Sequence, residues 1–94
     1  MLREDLMSYS LFVEKKLDKR LQKLAKKNPE LIKALDNKLQ GVLQDPYRFK
    51  PLNAPMQGIR RIHVFKSFVA CYEIIENKKQ VKLLEVEHHD NAYV

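Results

Sequence analysis

Ninety-four residues with 45% apolar content support one small folded domain over 1–94, and they exclude wholesale disorder. Lys and Arg outnumber Asp and Glu by 18 to 12, a net charge of +6, so an anionic partner is expected, either nucleic acid or an acidic protein. A lone Cys71 excludes an internal disulfide, no apolar run nears the roughly 20 residues that cross a bilayer, and the charged Met1–Asp5 start opens no signal peptide, so a cytoplasmic protein without a membrane partner is expected.

Taken in chain order, Tyr9-Ser10-Leu11-Phe12-Val13 reads as a short strand. From Glu14 the apolar period lengthens, with Leu17, Leu21, Leu24 and Ala25 on one stripe and lysines and Arg20 elsewhere. That pattern predicts an amphipathic helix ending near Lys27. Asn28-Pro29-Glu30 then supplies a capping side chain, a proline at the first helical position and an acid in the first turn. Leu31, Leu35, Leu39 and Val42, widened by Ile32 and Leu43, predict a second helix that stops before Asp45-Pro46. So tight a junction predicts an antiparallel hairpin with one shared apolar side.

Tyr47 to Gln57 carries Pro51 and Pro55 and reads as loop. After Gly58 the period becomes two, predicting strands over Ile59–Phe65 or Lys66, Phe68–Ile75 and Val81–Glu87, with Glu76-Asn77-Lys78-Lys79 as a hairpin turn. The middle strand is apolar on both faces and belongs inside an antiparallel meander. The fold class expected is α+β: an N-terminal helical hairpin packed on one face of a small, mainly antiparallel twisted β-sheet.

Strand parity says what the other face displays. If Ile62 and Val64 point at the helices, Arg61, His63 and Phe65 point away. If Leu84 and Val86 point inward in the last strand, Leu83, Glu85, Glu87 and His89 point out, while His88 points toward the helices or frays. One bulge would exchange the two terminal histidines.

Only three histidines are present, His63, His88 and His89, and the last two sit at a strand exit beside Asp90 and Tyr93. Imidazole takes and gives a proton near neutral pH, as RNA cleavage by its own 2′-hydroxyl requires. In such a site His63 and His89 suit the proton transfers, and Lys50, Arg60 and Arg61 suit the phosphate charge. Tyr93 suits base stacking, worth on the order of 1–3 kcal/mol. No metal or other cofactor is needed. A zinc site at His88-His89-Asp90 is disfavoured, because adjacent strand residues face opposite ways and no Cys or spaced His pair completes it. The plainer reading makes His63 a half-exposed sheet residue, Arg60-Arg61 a solvated pair, and Lys15-Lys16 with Lys26-Lys27 solubilising charges or contacts to a large polyanion.

The order of these features resembles the RelE/ParE toxin superfamily, in particular the RelE and YafQ-type mRNA interferases of type II toxin–antitoxin systems. The resemblance rests on Lys50-Pro51-Leu52, Gly58-Ile59-Arg60-Arg61-Ile62-His63-Val64, Val69-Ala70-Cys71-Tyr72-Glu73-Ile74 and His88-His89-Asp90-Asn91-Ala92-Tyr93, and it spans about Tyr9 to Tyr93. It implies a metal-free, microbial RNase-like domain that cuts mRNA in the ribosomal A site and is silenced by a cognate RelB-like antitoxin. By position it implies catalytic roles for Lys50, Arg60, His63, His89 and Tyr93. Arg61, Lys66 and His88 are expected near the RNA.

Two positions depart from that pattern. Val69 stands where many RelE-type members have a strand arginine, which leaves Arg61 or Lys66 to hold the phosphate. Ser67 stands where some YafQ-type members are acidic. A protein that inhibits by binding alone, as ParE-type toxins do to DNA gyrase, and a general RNA- or ribosome-binding module are the competing readings.

Overall fold

The computed structural model describes residues 8–49 and 58–88. Four strands and two helices follow in the order β1 (Ser10–Val13), α1 (Lys15–Lys27), α2 (Pro29–Gln44), β2 (Ile59–Phe65), β3 (Phe68–Ile75) and β4 (Gln80–His88). Single 3₁₀ turns at Pro46–Arg48 and Glu76–Lys78 punctuate the chain.

The proline-led start of α2 forms as its sequence predicts. Asn28 accepts a hydrogen bond from the Leu31 backbone N–H at 3.2 Å, and Pro29 fills a position that has no helical hydrogen bond to lose. One residue separates the two helices, and they pack against each other. Their contributions to the core differ. Leu31, Leu35, Leu39 and Val42 of α2 are buried, whereas α1 buries no residue and leans on the core through the half-buried Leu17, Leu21 and Leu24. An apolar groove of about 280 Å³ runs between α1, α2 and β1, with Leu21, Ile32, Leu35 and Leu83 in its walls.

The sheet order is β1-β4-β3-β2, with β2-β3-β4 an antiparallel meander and β1 pairing parallel to β4. Ile62, Val64, Ala70, Tyr72, Val81, Leu83 and Val86 meet the α2 stripe in one core. Tyr72 is wholly buried, and its hydroxyl donates to the Pro46 carbonyl at 2.7 Å. That bond satisfies a buried phenol and fastens the end of the helical hairpin to the sheet. Burial pushes this phenol's pKa up to about 12.

Two parity expectations need correction. Leu83 is 1% exposed and lies in the core, although alternation had placed it outward and Leu84 inward. The register passes from Cys71↔Glu85 to Tyr72↔Leu83, which leaves Leu84 as an extra residue in β4. A bulge of this kind lets Leu83 and Val86 share one side. Phe65 also packs against the core rather than pointing away, because a second register shift falls between His63 and Phe65 and sets Phe65 opposite Phe68. Among the described residues, no helix is long and apolar enough to cross a membrane.

Candidate active site on the far face of the sheet

Burial of Ile62 and Val64 turns Arg61 and His63 to the side of β2 away from the helices. Two rows then cross the sheet on that far face. Arg61 stands opposite Cys71, which stands opposite Glu85; His63 stands opposite Val69, which stands opposite Glu87. Two residues of strand rise put Arg61 and His63 about 6.7 Å apart along β2, and each step across a row is about 4.8 Å. A guanidinium and an imidazole at that spacing can address one phosphodiester. His63 is exposed, and Arg61 and the two glutamates are half-buried. Arg20 of α1 reaches Glu87 at 2.9 Å, which offsets the acid within the His63 row. The β4 bulge falls before Glu85, so Glu85 and Glu87 face as parity predicts.

Burial raises the pKa of the Cys71 thiol, Glu85 raises it further, and Arg61 opposes both. The thiol is therefore held protonated and is a poor nucleophile. The far face offers a proton-transfer group and a fixed cation, with no activated thiolate.

The remaining predicted residues do not gather there. Arg60 faces the helices. Its Nε donates to the Phe49 carbonyl at 2.9 Å, and its guanidinium lies 5.1 Å from the Tyr47 ring centroid. It is thus on the opposite face from Arg61 and His63, held at the point where the chain enters the segment 50–57. His88 likewise sits on the helix side, its ring edge-on to Phe68 at 5.4 Å, as parity allowed. Lys66 occupies the β2–β3 turn with φ of 49°, and its ammonium lies 5.2 Å from the Phe65 ring. Lys50, His89 and Tyr93 lie outside the described residues. Val69, the departure from the RelE-type arginine, falls directly opposite His63.

Sequence reasoning missed a cluster at the other end of the sheet. Glu76 accepts from Tyr47 Oη at 2.6 Å, from Tyr9 Oη at 2.7 Å and from Lys79 Nζ. Those bonds hold the Glu76 carboxyl down at about 2, with Lys79 the largest influence, then Tyr47, then Tyr9. The same bond to Glu76 pushes Tyr47 up to about 12. Tyr47 in turn provides the ring on which Arg60 rests. Partners up to 67 positions apart leave no periodic trace in the chain, and Glu76 had been read only as a turn residue.

Residues 11–93 match the family described as "ParE toxin of type II toxin-antitoxin system, parDE". A protein of Methanocaldococcus jannaschii named "Putative toxin RelE4" is 38% identical over 85 residues, covering 90% of each chain. An uncharacterized protein of Methanosarcina mazei is also 38% identical over 85 residues, covering 90% of this chain and 99% of its own. Among solved structures, a mutant of E. coli toxin RelE in the free state superposes with a TM-score of 0.74 at 23% identity, covering 93% of this chain and 90% of that one. The RelBE2 toxin–antitoxin complex of Mycobacterium tuberculosis contains a chain that superposes at 0.70 with 22% identity, over 86% of this chain and 98% of that one. The two structural likenesses show the fold, and the family match over nearly the whole chain shows the kinship: this protein belongs to the ParE toxin family of type II toxin–antitoxin systems, within the RelE/ParE superfamily.

Proposed function

We propose that this toxin is a ribosome-dependent endoribonuclease that cuts mRNA in the ribosomal A site and is silenced by a RelB-like antitoxin. The observation that carries the reading is the shared placement of Arg61 and His63 on the far face of the sheet, two residues apart along β2. In this reading the 2′-oxygen attacks the adjacent phosphorus, the P–O bond to the 5′-oxygen breaks, and the products are a cyclic phosphate and a free 5′-hydroxyl. His63 serves one of the two proton transfers, and Arg61 stabilises the charge that builds on the phosphate. With valine opposite His63 in place of an arginine, Arg61, two residues along β2 on the same face, is assigned to that charge.

His89, Tyr93 and Lys50 enter this proposal on the family resemblance of their positions: His89 for the second proton transfer, Tyr93 for stacking on a base, and Lys50 for the phosphate. Arg60 is assigned a positioning role, since it ties β2 to the Phe49 carbonyl from the opposite face. The antitoxin is inferred from the toxin–antitoxin family and from the RelBE2 neighbour, which was solved with its partner.

A binding-only gyrase inhibitor is the second reading, since the matching family is named for ParE toxins. Induced expression of the full chain separates the two. Translation arrest with mRNA cleaved at codon positions supports the nuclease; arrest with intact mRNA and gyrase-linked DNA breaks rejects it.

A further inference from the structure

We propose that Glu85 is the residue by which the far face tells RNA from DNA, accepting a hydrogen bond from a ribose 2′-hydroxyl beside the phosphate assigned to Arg61. The inference rests on the nuclease reading, from which it takes its partner, a single RNA strand. Val86 is wholly buried on the helix side, so Glu85, its neighbour in β4, faces the far side. It shares a row with Arg61, and Cys71 stands between them. Two steps across the sheet set their backbones about 9.6 Å apart. Both charges act on the Cys71 thiol, Glu85 raising its pKa and Arg61 lowering it, so both side chains come close to that residue.

Glu85 differs from the acids around it in having no donor. It is half-buried, and among the described residues its side chain is in no hydrogen bond or ion pair. Glu87 is paired with Arg20, Glu14 with Lys82, and Glu76 accepts three hydrogen bonds. Glu73, on the same face as Glu85, is exposed, so water solvates it. A half-buried carboxylate without a donor has given up part of its hydration. A donor brought by the substrate replaces what is lost, and hydroxyl-to-carboxylate bonds are among the short, strong ones. Carboxylates hold ribose hydroxyls in this way in dinucleotide-binding folds. On a nucleic-acid strand the 2′-hydroxyl is the donor on the sugar, next to the phosphate, whereas the base donors lie beyond the sugar. RNA carries that hydroxyl and DNA does not.

The test measures the affinity of the full chain for a single strand of about 12 nucleotides, made once with ribose and once with deoxyribose and carrying the same bases, uracil included. The readout is the ratio of the two affinities, which a change in overall charge moves little because it acts on both strands alike. The parent is expected to favour RNA by about tenfold or more, the gain from one hydrogen bond to a charged group. Glu85→Ala should abolish the preference, and Glu85→Gln, whose amide oxygen still accepts, should retain part of it. Circular dichroism of both variants is expected to match the parent. Equal affinity of the parent for the two strands, binding to neither, or a preference that persists undiminished in Glu85→Ala would overturn the proposal. A carboxylate that contacted bases would give the first of these results, since both strands share them. A His63→Ala variant keeps the two readings apart, because it should hold the RNA preference while losing cleavage of ribosome-bound mRNA. A parent that prefers RNA through Glu85 but never cuts mRNA would uphold the sugar contact and sink the nuclease.

Discussion

His63 was legible in the sequence because exposure on a strand follows from its two neighbours: once Ile62 and Val64 are buried, the residue between them has one direction left. The same rule carried Arg61 to the same face. It also separated Arg60 from both, a consequence that resemblance to the Gly-x-Arg stretch had hidden, since a motif groups adjacent residues that a strand sends to opposite sides. What fixes Arg60, the Phe49 carbonyl and the Tyr47 ring, lies more than ten positions away and has no sequence signature. Tyr72 makes a comparable point within the core. Changing Tyr72→Phe leaves the Pro46 carbonyl without its buried donor, and the expected loss is about 1–3 kcal/mol of stability by chemical denaturation. A loss indistinguishable from zero would mean that this hydrogen bond does not fasten hairpin to sheet.

At the level of elements, apolar periodicity located both helices and three strands to within a residue or so at each end, because each buries one face against a single core. One detail escaped it. The Leu84 bulge inserts a residue where Val81-Lys82-Leu83-Leu84 offers two adjacent leucines, and alternation alone cannot choose which enters the core. The two helices should also differ in what they contribute. Leu35→Ala in α2 removes a buried side chain and is expected to cost about 2–5 kcal/mol; Leu21→Ala in α1, which is only half-buried, should cost clearly less. Denaturant midpoints of the two variants check the order, and equal losses would contradict the unequal packing of the hairpin.

For the molecule as a whole, the Tyr9–Tyr47–Glu76–Lys79 cluster joins the approach to β1, the end of the helical hairpin and the β3–β4 turn. Its acid has a folded-state pKa depressed to about 2 from an ordinary 4.5. A depressed carboxylate contributes stability above its unfolded value and loses it as pH falls through the folded value. The thermal midpoint of the parent should therefore decline more steeply from about pH 5 to pH 2 than that of Glu76→Gln, with the gap between them greatest at neutral pH and closing in acid. Parallel curves would show that the cluster is not linked to folding.

The central claim, that Arg61 and His63 form the described half of a nuclease site on the far face, is tested most directly by primer extension on mRNA bound to purified ribosomes, with parent, His63→Ala and Arg61→Ala compared. The parent should cut within the A-site codon, and each variant should cut slower by about a hundredfold or more while remaining folded. Cleavage by both variants at the parental rate, or no ribosome-dependent cleavage by the parent, would contradict it.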